Sequence, residues 1–497
     1  MMSPNHDASP TAAEQAQDVI LSKYEQRGIE PVPVEEQQGN PLDLFWVWFA
    51  ANLSILGIPL GVTLVALGMN IWQALIAAVL GAFGSFAIVG VISIAGRRGG
   101  APSLTLSRAI FGVRGNIGPT IVSLASRLGW ETVNTTTGAF ALLSLSTLVL
   151  GTNADAKESP VLALVCIAIF VVCTVAVSGM GHAFLVAVQK WATWIFGALN
   201  IFVAAYLVTT VDWDLVLSAP AGPASAVIIG VGTIAAGTGI GWANAGADMA
   251  RYQSPRVRAG SLIASASAGA GIPLVIIIGL GAILGAGDSG LASAGDPVAA
   301  VRSVLPAWVA IPYLVTAFGG LLLSNHLSVY SAGLTTLTLG IRIKRVNAVI
   351  LDVVVTTIGA IYFMLVSESF YGPFITFISL LAVPITAWVG VFVVDMIGRR
   401  TYHADSLMDL GKTSGYWYRG GVEWRSTLAW AAAIVVGFLF TTARVSSEEV
   451  WFTGALAETW IGSNGLAWVA TFAISAGLYA ALGGARAGRR DPSVAAR

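Results

Sequence analysis

Three polar stretches interrupt an otherwise apolar chain, and their residue types suit ligand binding and proton transfer. The first reads Ser123-Leu-Ala-Ser126-Arg127-Leu-Gly129-Trp130-Glu131-Thr-Val-Asn134-Thr135-Thr136-Thr137. Residues four apart share a helix face, so Trp130 goes with Asn134 and Arg127 with Glu131. A tryptophan in mid-run either packs in the core or offers its ring to a ligand. Arg127 and Glu131 either neutralise one another or act on a ligand or a proton, because ionisable groups are costly in an apolar interior. The second stretch, Leu321-Leu-Leu-Ser324-Asn325-His326-Leu-Ser328-Val-Tyr330-Ser331, holds the one histidine expected at depth. His326 is either hydrogen-bonded structure or a proton relay. The third, at Asp248 and Arg251, offers a local salt bridge that restrains a helix end or acts as a gate. Neither a metal-ligand spacing nor a catalytic nucleophile motif occurs, so no enzyme and no cofactor are expected. Cys166 and Cys173, seven apart in one apolar run, read as packing thiols.

These residues need elements to hold them, and composition says which. Of 497 residues, 56% are hydrophobic and only 10% are charged, with mean hydropathy +0.78; soluble domains carry roughly 25% charged residues. The 26 basic and 26 acidic residues cancel, so no field favours a nucleic-acid partner. The 56 glycines suit tightly packed membrane helices. After a polar segment at 1–42 with no signal-peptide pattern come twelve apolar runs near the ~20 residues that a spanning helix needs. They cover 43–69, 71–94, 117–150, 159–178, 183–209, 224–248, 259–285, 308–340, 346–367, 370–397, 426–444 and 463–484. These are called spans one to twelve below. The two tails and the alternate loops at 95–116, 249–258, 341–345 and 398–425 hold most of the Lys and Arg, whereas the opposite loops hold Lys157, Arg302 and Arg444. Because basic residues gather on the cytoplasmic side, both termini are expected inside a multi-pass protein of the cell membrane.

Two runs are broken. Span one contains Asn52-Leu-Ser54-Ile-Leu-Gly57-Ile-Pro59-Leu-Gly61, and span six contains Gly237-Thr-Gly239-Ile-Gly241-Trp242. Proline removes a helix hydrogen bond and glycine weakens the helix, so both segments are expected to unwind. Unwound backbone at membrane depth is tolerated only in protein or beside a wet cavity. Interruptions in corresponding spans of two five-helix halves point to a transporter binding site.

At these residues the chain resembles the nucleobase:cation symporter-1 family, in its purine–cytosine permease branch, over roughly residues 27–445. The resemblance rests on Gly28-Ile-Glu-Pro-Val-Pro, on Phe45-Trp-Val-Trp-Phe-Ala-Ala-Asn52-Leu-Ser54 and on Gly129-Trp130-Glu-Thr-Val-Asn134. It extends through Gly241-Trp242-Ala-Asn244-Ala-Gly-Ala-Asp248-Met-Ala-Arg251-Tyr252 and Ser324-Asn325 to Tyr330-Ser331-Ala-Gly333. It implies an all-α polytopic membrane protein with a LeuT-like core of two inverted five-helix repeats, 43–209 and 224–397, shared with sodium-coupled amino-acid transporters. A cytoplasmic loop at 398–425, two further helices in 426–484 and a cytoplasmic tail at 485–497 complete it.

The resemblance also implies a substrate ring sandwiched between Trp130 and Trp242. Asn134, Ser324, Asn325 and the opened backbone near Ser54 and Gly241 would answer its polar edge. Sodium-coupled relatives place two adjacent hydroxyl residues on span eight, whereas the matching pair here is Leu323-Ser324. One oxygen ligand is missing, which favours protons over sodium as the coupling cation. Glu131, Ser324 and His326 are the candidates for cation coupling, with Glu131 loading and releasing the proton, and Asp248 with Arg251 for the inner gate. The expected activity is import of a purine or cytosine by alternating access. Alternatives are another flat ring such as allantoin, a hydantoin, uracil or a vitamin precursor, an amino-acid-type cargo, and, from another class, a channel or membrane enzyme.

Overall fold

The structure is a computed structural model and describes residues 27–153, 155–180, 182–287, 301–303, 305–367, 370–445 and 449–487. Residues 1–26 with His6 and Lys23, and 488–497 with Arg489, Arg490 and Arg497, lie outside the described residues.

Nine described helices are apolar and long enough to cross a membrane. They are Ile71–Gly99, Ile117–Leu150, Pro160–Ser178, Phe184–Thr210, Ala224–Ala250, Ala259–Gly287, Ala307–Thr338, Arg345–Leu365 and Thr376–Gly398, and they correspond to spans two to ten. Shorter apolar helices stand at the remaining places: Pro41–Ala51 and Gly57–Ala66 for span one, Trp424–Leu439 for span eleven and Ala467–Ala481 for span twelve. Capping explains where several begin. Asn40 accepts from Leu42 N and Asp43 N while the Asp43 carboxylate accepts from Asn40 N, a capping box ahead of Pro41. Asn70 and Gln73 form the same box at the start of span two.

Span eleven is shorter than expected. Its helix stops at Leu439, and Thr442–Arg444 instead pairs antiparallel with Val450–Thr453, Thr442 opposite Thr453. β-Branched and aromatic residues favour that pairing, and Arg444 cannot remain in hydrocarbon. Span twelve begins late, at Ala467, because Gly465 takes φ +65° after the short helix Trp460–Ser463.

Span one breaks, but upstream of its proline and glycines. The helix is open at 52–56, and Gly57, Pro59 and Gly61 belong to the first turns of Gly57–Ala66. Proline is tolerated in a first turn, where its missing N–H leaves no bond unmade. The glycines serve close packing instead. A Cβ at Gly61 would lie 1.9 Å from Ile278 O, and one at Gly281 would lie 2.1 Å from Ile58 O, so the second half of span one and span seven meet backbone to backbone.

On the face that carries most basic residues, the loop 398–425 folds against the helix Ser103–Phe111. Arg399 bonds Asp395 at 2.7 Å and Ala109 O at 2.9 Å, and Tyr479 OH donates to Asp395 at 3.0 Å. Burial works to lower the Arg399 guanidinium, but Asp395 together with Tyr418 and Tyr402 outweighs that and holds it well above its ordinary value. Arg108 of the same helix is pulled by burial to about 10, still cationic at neutral pH, and caps Leu407 O and Thr338 O.

Candidate substrate-binding site

Span six supplies one wall, but it does not unwind at Gly237–Trp242 as the sequence leads one to expect: Ala224–Ala250 stays helical throughout, and the glycines change only its pitch. Ala224–Ala235 is α-helical, Ala236–Ile240 a π-turn, Ala243–Ala245 a 3-10 turn, and Gly246–Ala250 α-helical again. Such turns leave carbonyls without helical partners. One of them, Gly241 O, accepts from Arg127 Nη2, and the same guanidinium reaches Asn244 Oδ1 at 3.2 Å. The Arg127 carbon lies 4.3 Å from the Trp242 ring centre, and Trp48 meets that ring edge-on at 5.5 Å and 74°. Trp242 is therefore fixed by a cation–π contact on one side and an aromatic edge on another. Arg127 serves span six and forms no ion pair with Glu131.

Between spans one and six lies a cavity of about 740 Å³. Asn52, Ser54, Leu56 and Gly57 of span one line it, with Trp130 of span three, Gly237, Thr238 and Trp242 of span six, Ser324 of span eight, and Ile378 and Ser379 of span ten. Its rim includes Thr442, Arg444, Gly462 and Ser463, so it opens on the side that carries few basic residues. A mostly apolar wall with a few convergent polar groups suits a small flat solute.

The opposite side is clamped below the cavity. Ser103 N and Ser331 Oγ donate to the two oxygens of Asp248, each at 2.7 Å. Arg251 donates to Gly28 O at 2.7 Å and to Tyr330 OH at 2.9 Å, while Gly39 N donates to Tyr252 O at 2.8 Å. The segment before span one is thereby strapped to the end of span six. A second cavity, of about 1150 Å³, lies on this side, bordered by Leu337, Lys344 and Arg345, and shares no lining residue with the first.

Of the residues singled out in the sequence, Ser54, Trp130, Trp242 and Ser324 line the first cavity. Gly241 acts through its lack of a side chain: a Cβ there would lie 3.2 Å from Trp130 Nε1. Asn134 and Asn325 are not among the lining residues. Asn134 Nδ2 donates to Asn325 Oδ1 at 3.5 Å, and Asn325 Nδ2 donates to Thr174 at 3.1 Å, joining spans three, eight and four. Glu131 is fully buried and accepts from Ser328 Oγ at 3.1 Å. His326 points to span four, with Nε2 at 3.3 Å from Cys173 O. Asn52, Thr238, Ser379 and Arg444 were not singled out. Asn52 and Thr238 lie inside the two motifs of interruption and could have been found there, whereas nothing in the sequence marks Ser379.

Comparison with known proteins speaks to the family and the fold. The family model for permeases of cytosine/purines, uracil, thiamine and allantoin matches residues 31–466. A Bacillus subtilis (strain 168) protein named "Putative purine-cytosine permease YxlA" is 24% identical over 92% of this chain and 95% of its own length. The hydantoin permease of Microbacterium maritypicum is 25% identical over 88% of each chain. Among solved structures, the nucleobase-cation-symport-1 transporter Mhp1, closed with bromovinylhydantoin bound, superposes with a TM-score of 0.70 at 20% identity, covering 94% of this chain and 98% of Mhp1. That likeness speaks to the fold and agrees with the five-plus-five core. The polytopic fold and the match over most of the chain lead to one statement: the chain belongs to the nucleobase-cation-symport-1 family of transporters, the permeases for cytosine/purines, uracil, thiamine and allantoin.

Proposed function

We propose that this protein is a secondary active importer of a purine base or cytosine, working by alternating access in the cell membrane and coupled to protons. The observation that carries the reading is the cavity flanked by Trp130 and Trp242, with Asn52, Ser54 and Ser324 on its wall. Two indoles accept any flat heteroaromatic ring with little directional demand, and the polar groups then answer its edge. The basic residues facing one side favour cytoplasmic termini, in which case the cavity opens outward and the Asp248–Arg251 region forms the closed inner gate. The cargo leaves chemically unchanged.

Proton coupling is favoured by what occupies the contact of spans one and eight. Leu323 O accepts from Gln189 Nε2 at 2.8 Å, Leu53 O accepts from Asn200 Nδ2 at 3.4 Å, and Leu323 adds no hydroxyl. Carbonyls capped by amides are poor ligands for a hard cation. Glu131 buried beside Trp130 is then the proton carrier.

A hydantoin or allantoin is the second reading, favoured by the similarity to the hydantoin permease. Uptake of labelled adenine, hypoxanthine, guanine, cytosine, uracil, allantoin and hydantoin into cells lacking their own permeases separates these. Repeating it without sodium, and with the proton gradient collapsed, tests the coupling. Saturable uptake of one ring that survives sodium removal and fails without the proton gradient is expected. Uptake that requires sodium would overturn the proton reading, and competition by amino acids would overturn the substrate class.

A further inference from the structure

Glu131 has a counterpart on span nine. Asp352 is 3% exposed, and Thr336 Oγ1 of span eight donates to its Oδ1 at 3.0 Å, as Ser328 of the same span donates to Glu131 Oε1. The second oxygen of each carboxyl, Glu131 Oε2 and Asp352 Oδ2, is buried without a partner. Neither carboxyl forms an ion pair with a described residue. A buried carboxyl with a bare oxygen and no ion pair costs stability, so the setting suits a group that holds and passes a proton better than one that braces the fold.

The two stand in line. Ser328 and Thr336 are eight residues apart on span eight, about 12 Å along the axis. A second ruler agrees. A Cβ at Gly359 would touch Thr132, next to Glu131, at 2.7 Å. Asp352 precedes Gly359 by seven residues, about 10 Å towards the Arg345 end of span nine. Neither carboxyl lines a cavity, but the residues near each in sequence line different ones. Trp130, beside Glu131, lines the first, whereas Leu337, beside Thr336, and Arg345, two turns before Asp352, line the second. Between them on the same helix, Ser331 Oγ donates to Asp248 and Thr335 Oγ1 to Ser331 O, so neither hydroxyl joins the two carboxyls and the gap is one for water. The other ionisable residues on the elements packed against span nine are Arg127 of span three, Cys166 and Cys173 of span four, and Tyr313, His326 and Tyr330 of span eight; span nine itself adds Arg345 and Tyr362.

We infer that Asp352 is the exit station for the coupling proton, taking it from Glu131 and releasing it into the cavity on the basic side. In each cycle the Glu131 acid loses one proton to the Asp352 carboxylate, through water admitted when that side opens. Asp352 then loses it to the solution, so one proton moves and nothing is oxidised or reduced. The inference rests on the proton-coupled reading above.

The test uses the full chain in proteoliposomes containing an internal pH dye. The probe is cytosine, hypoxanthine or hydantoin, whichever the uptake panel selects. Asp352→Asn keeps the volume and the acceptor for Thr336 but cannot take up a proton. Exchange of labelled for unlabelled probe needs no proton release and should stay within about twofold of wild type. Uptake driven by an acid-outside gradient, with its proton flux, should fall about tenfold or more, and Asp352→Glu should restore part of it. Wild-type proton-driven uptake by Asp352→Asn would overturn the proposal, as would equal loss of exchange and uptake in a folded variant. If Asp352→Asn fails to assemble, Asp352→Glu decides: a displaced pH profile of uptake supports the proposal and an unchanged one overturns it. A wild-type protein that moves its probe without protons refutes the underlying reading as well, which distinguishes the two failures.

Discussion

Arg127 shows how much of this site depends on single side chains. It is 1% exposed and reaches across to span six, where it caps the carbonyl that the change of pitch at Gly241 leaves open and lies over the Trp242 ring. Lysine has neither the flat face nor the forked donors for both tasks. Arg127→Lys is therefore expected to lower uptake by about tenfold or more with little change in membrane expression, measured as initial rate per surface-labelled protein. Glu131→Gln should leave probe binding measurable while removing the dependence of uptake on the proton gradient; full retained dependence would refute its role as carrier. The sequence placed Arg127 and Glu131 on one helix face and left open whether they pair, because spacing within one helix says nothing about what the neighbouring helix offers. An uncapped carbonyl on span six and a hydroxyl on span eight drew them to different neighbours. Asn134 likewise turns its amide to Asn325, and Asn325 donates to Thr174, which no pattern along either helix reveals.

At the scale of elements, the glycines of span one divide between two tasks that look alike in sequence. Their number and the proline announced a break, and the break exists, but it falls at Asn52–Leu56, whereas Gly61 lets the second half-helix touch span seven. Helix-weakening residues mark a region; tertiary packing decides which peptide unwinds. Gly61→Leu or Gly281→Leu should therefore act on stability, lowering it by about 1–3 kcal/mol or more through overpacking, read as a lower melting temperature in detergent. Gly68, which has nothing within 4 Å of its Cβ position but takes φ +88°, should tolerate Asn far better than Gly61 tolerates Leu. Span six was legible only in part: its glycines mark the π and 3-10 turns on either side of Trp242, but the helix runs through them without unwinding. The hairpin after span eleven was not legible, since an apolar run ending in Thr, Val, Trp and Phe reads equally as helix or strand until pairing decides.

For the whole molecule, the two separate cavities and the strap between them describe a carrier open on one side and shut on the other. Ser463 lies on the rim of the first cavity and Val346 borders the second. In a background with Cys166→Ser and Cys173→Ser, Ser463→Cys should react from outside the cell with a membrane-impermeant thiol reagent, and Val346→Cys only from the inner side, as read in right-side-out and inverted vesicles. The reverse pattern would invert the proposed orientation. The polytopic helical fold was the most legible feature in sequence, because the recurrence of long apolar runs is a property that single-residue contacts do not disturb.

The central proposal, a planar ring held between Trp130 and Trp242, is tested most directly by equilibrium binding of the panel's labelled ring to purified protein. Wild type, Trp130→Ala, Trp242→Ala and the lipid-facing control Trp191→Ala, whose ring is 72% exposed, are compared at equal folded fraction. Removal of either cavity indole should weaken binding about tenfold or more while the control binds as wild type does. Undiminished binding by both Trp130→Ala and Trp242→Ala would contradict the site described above.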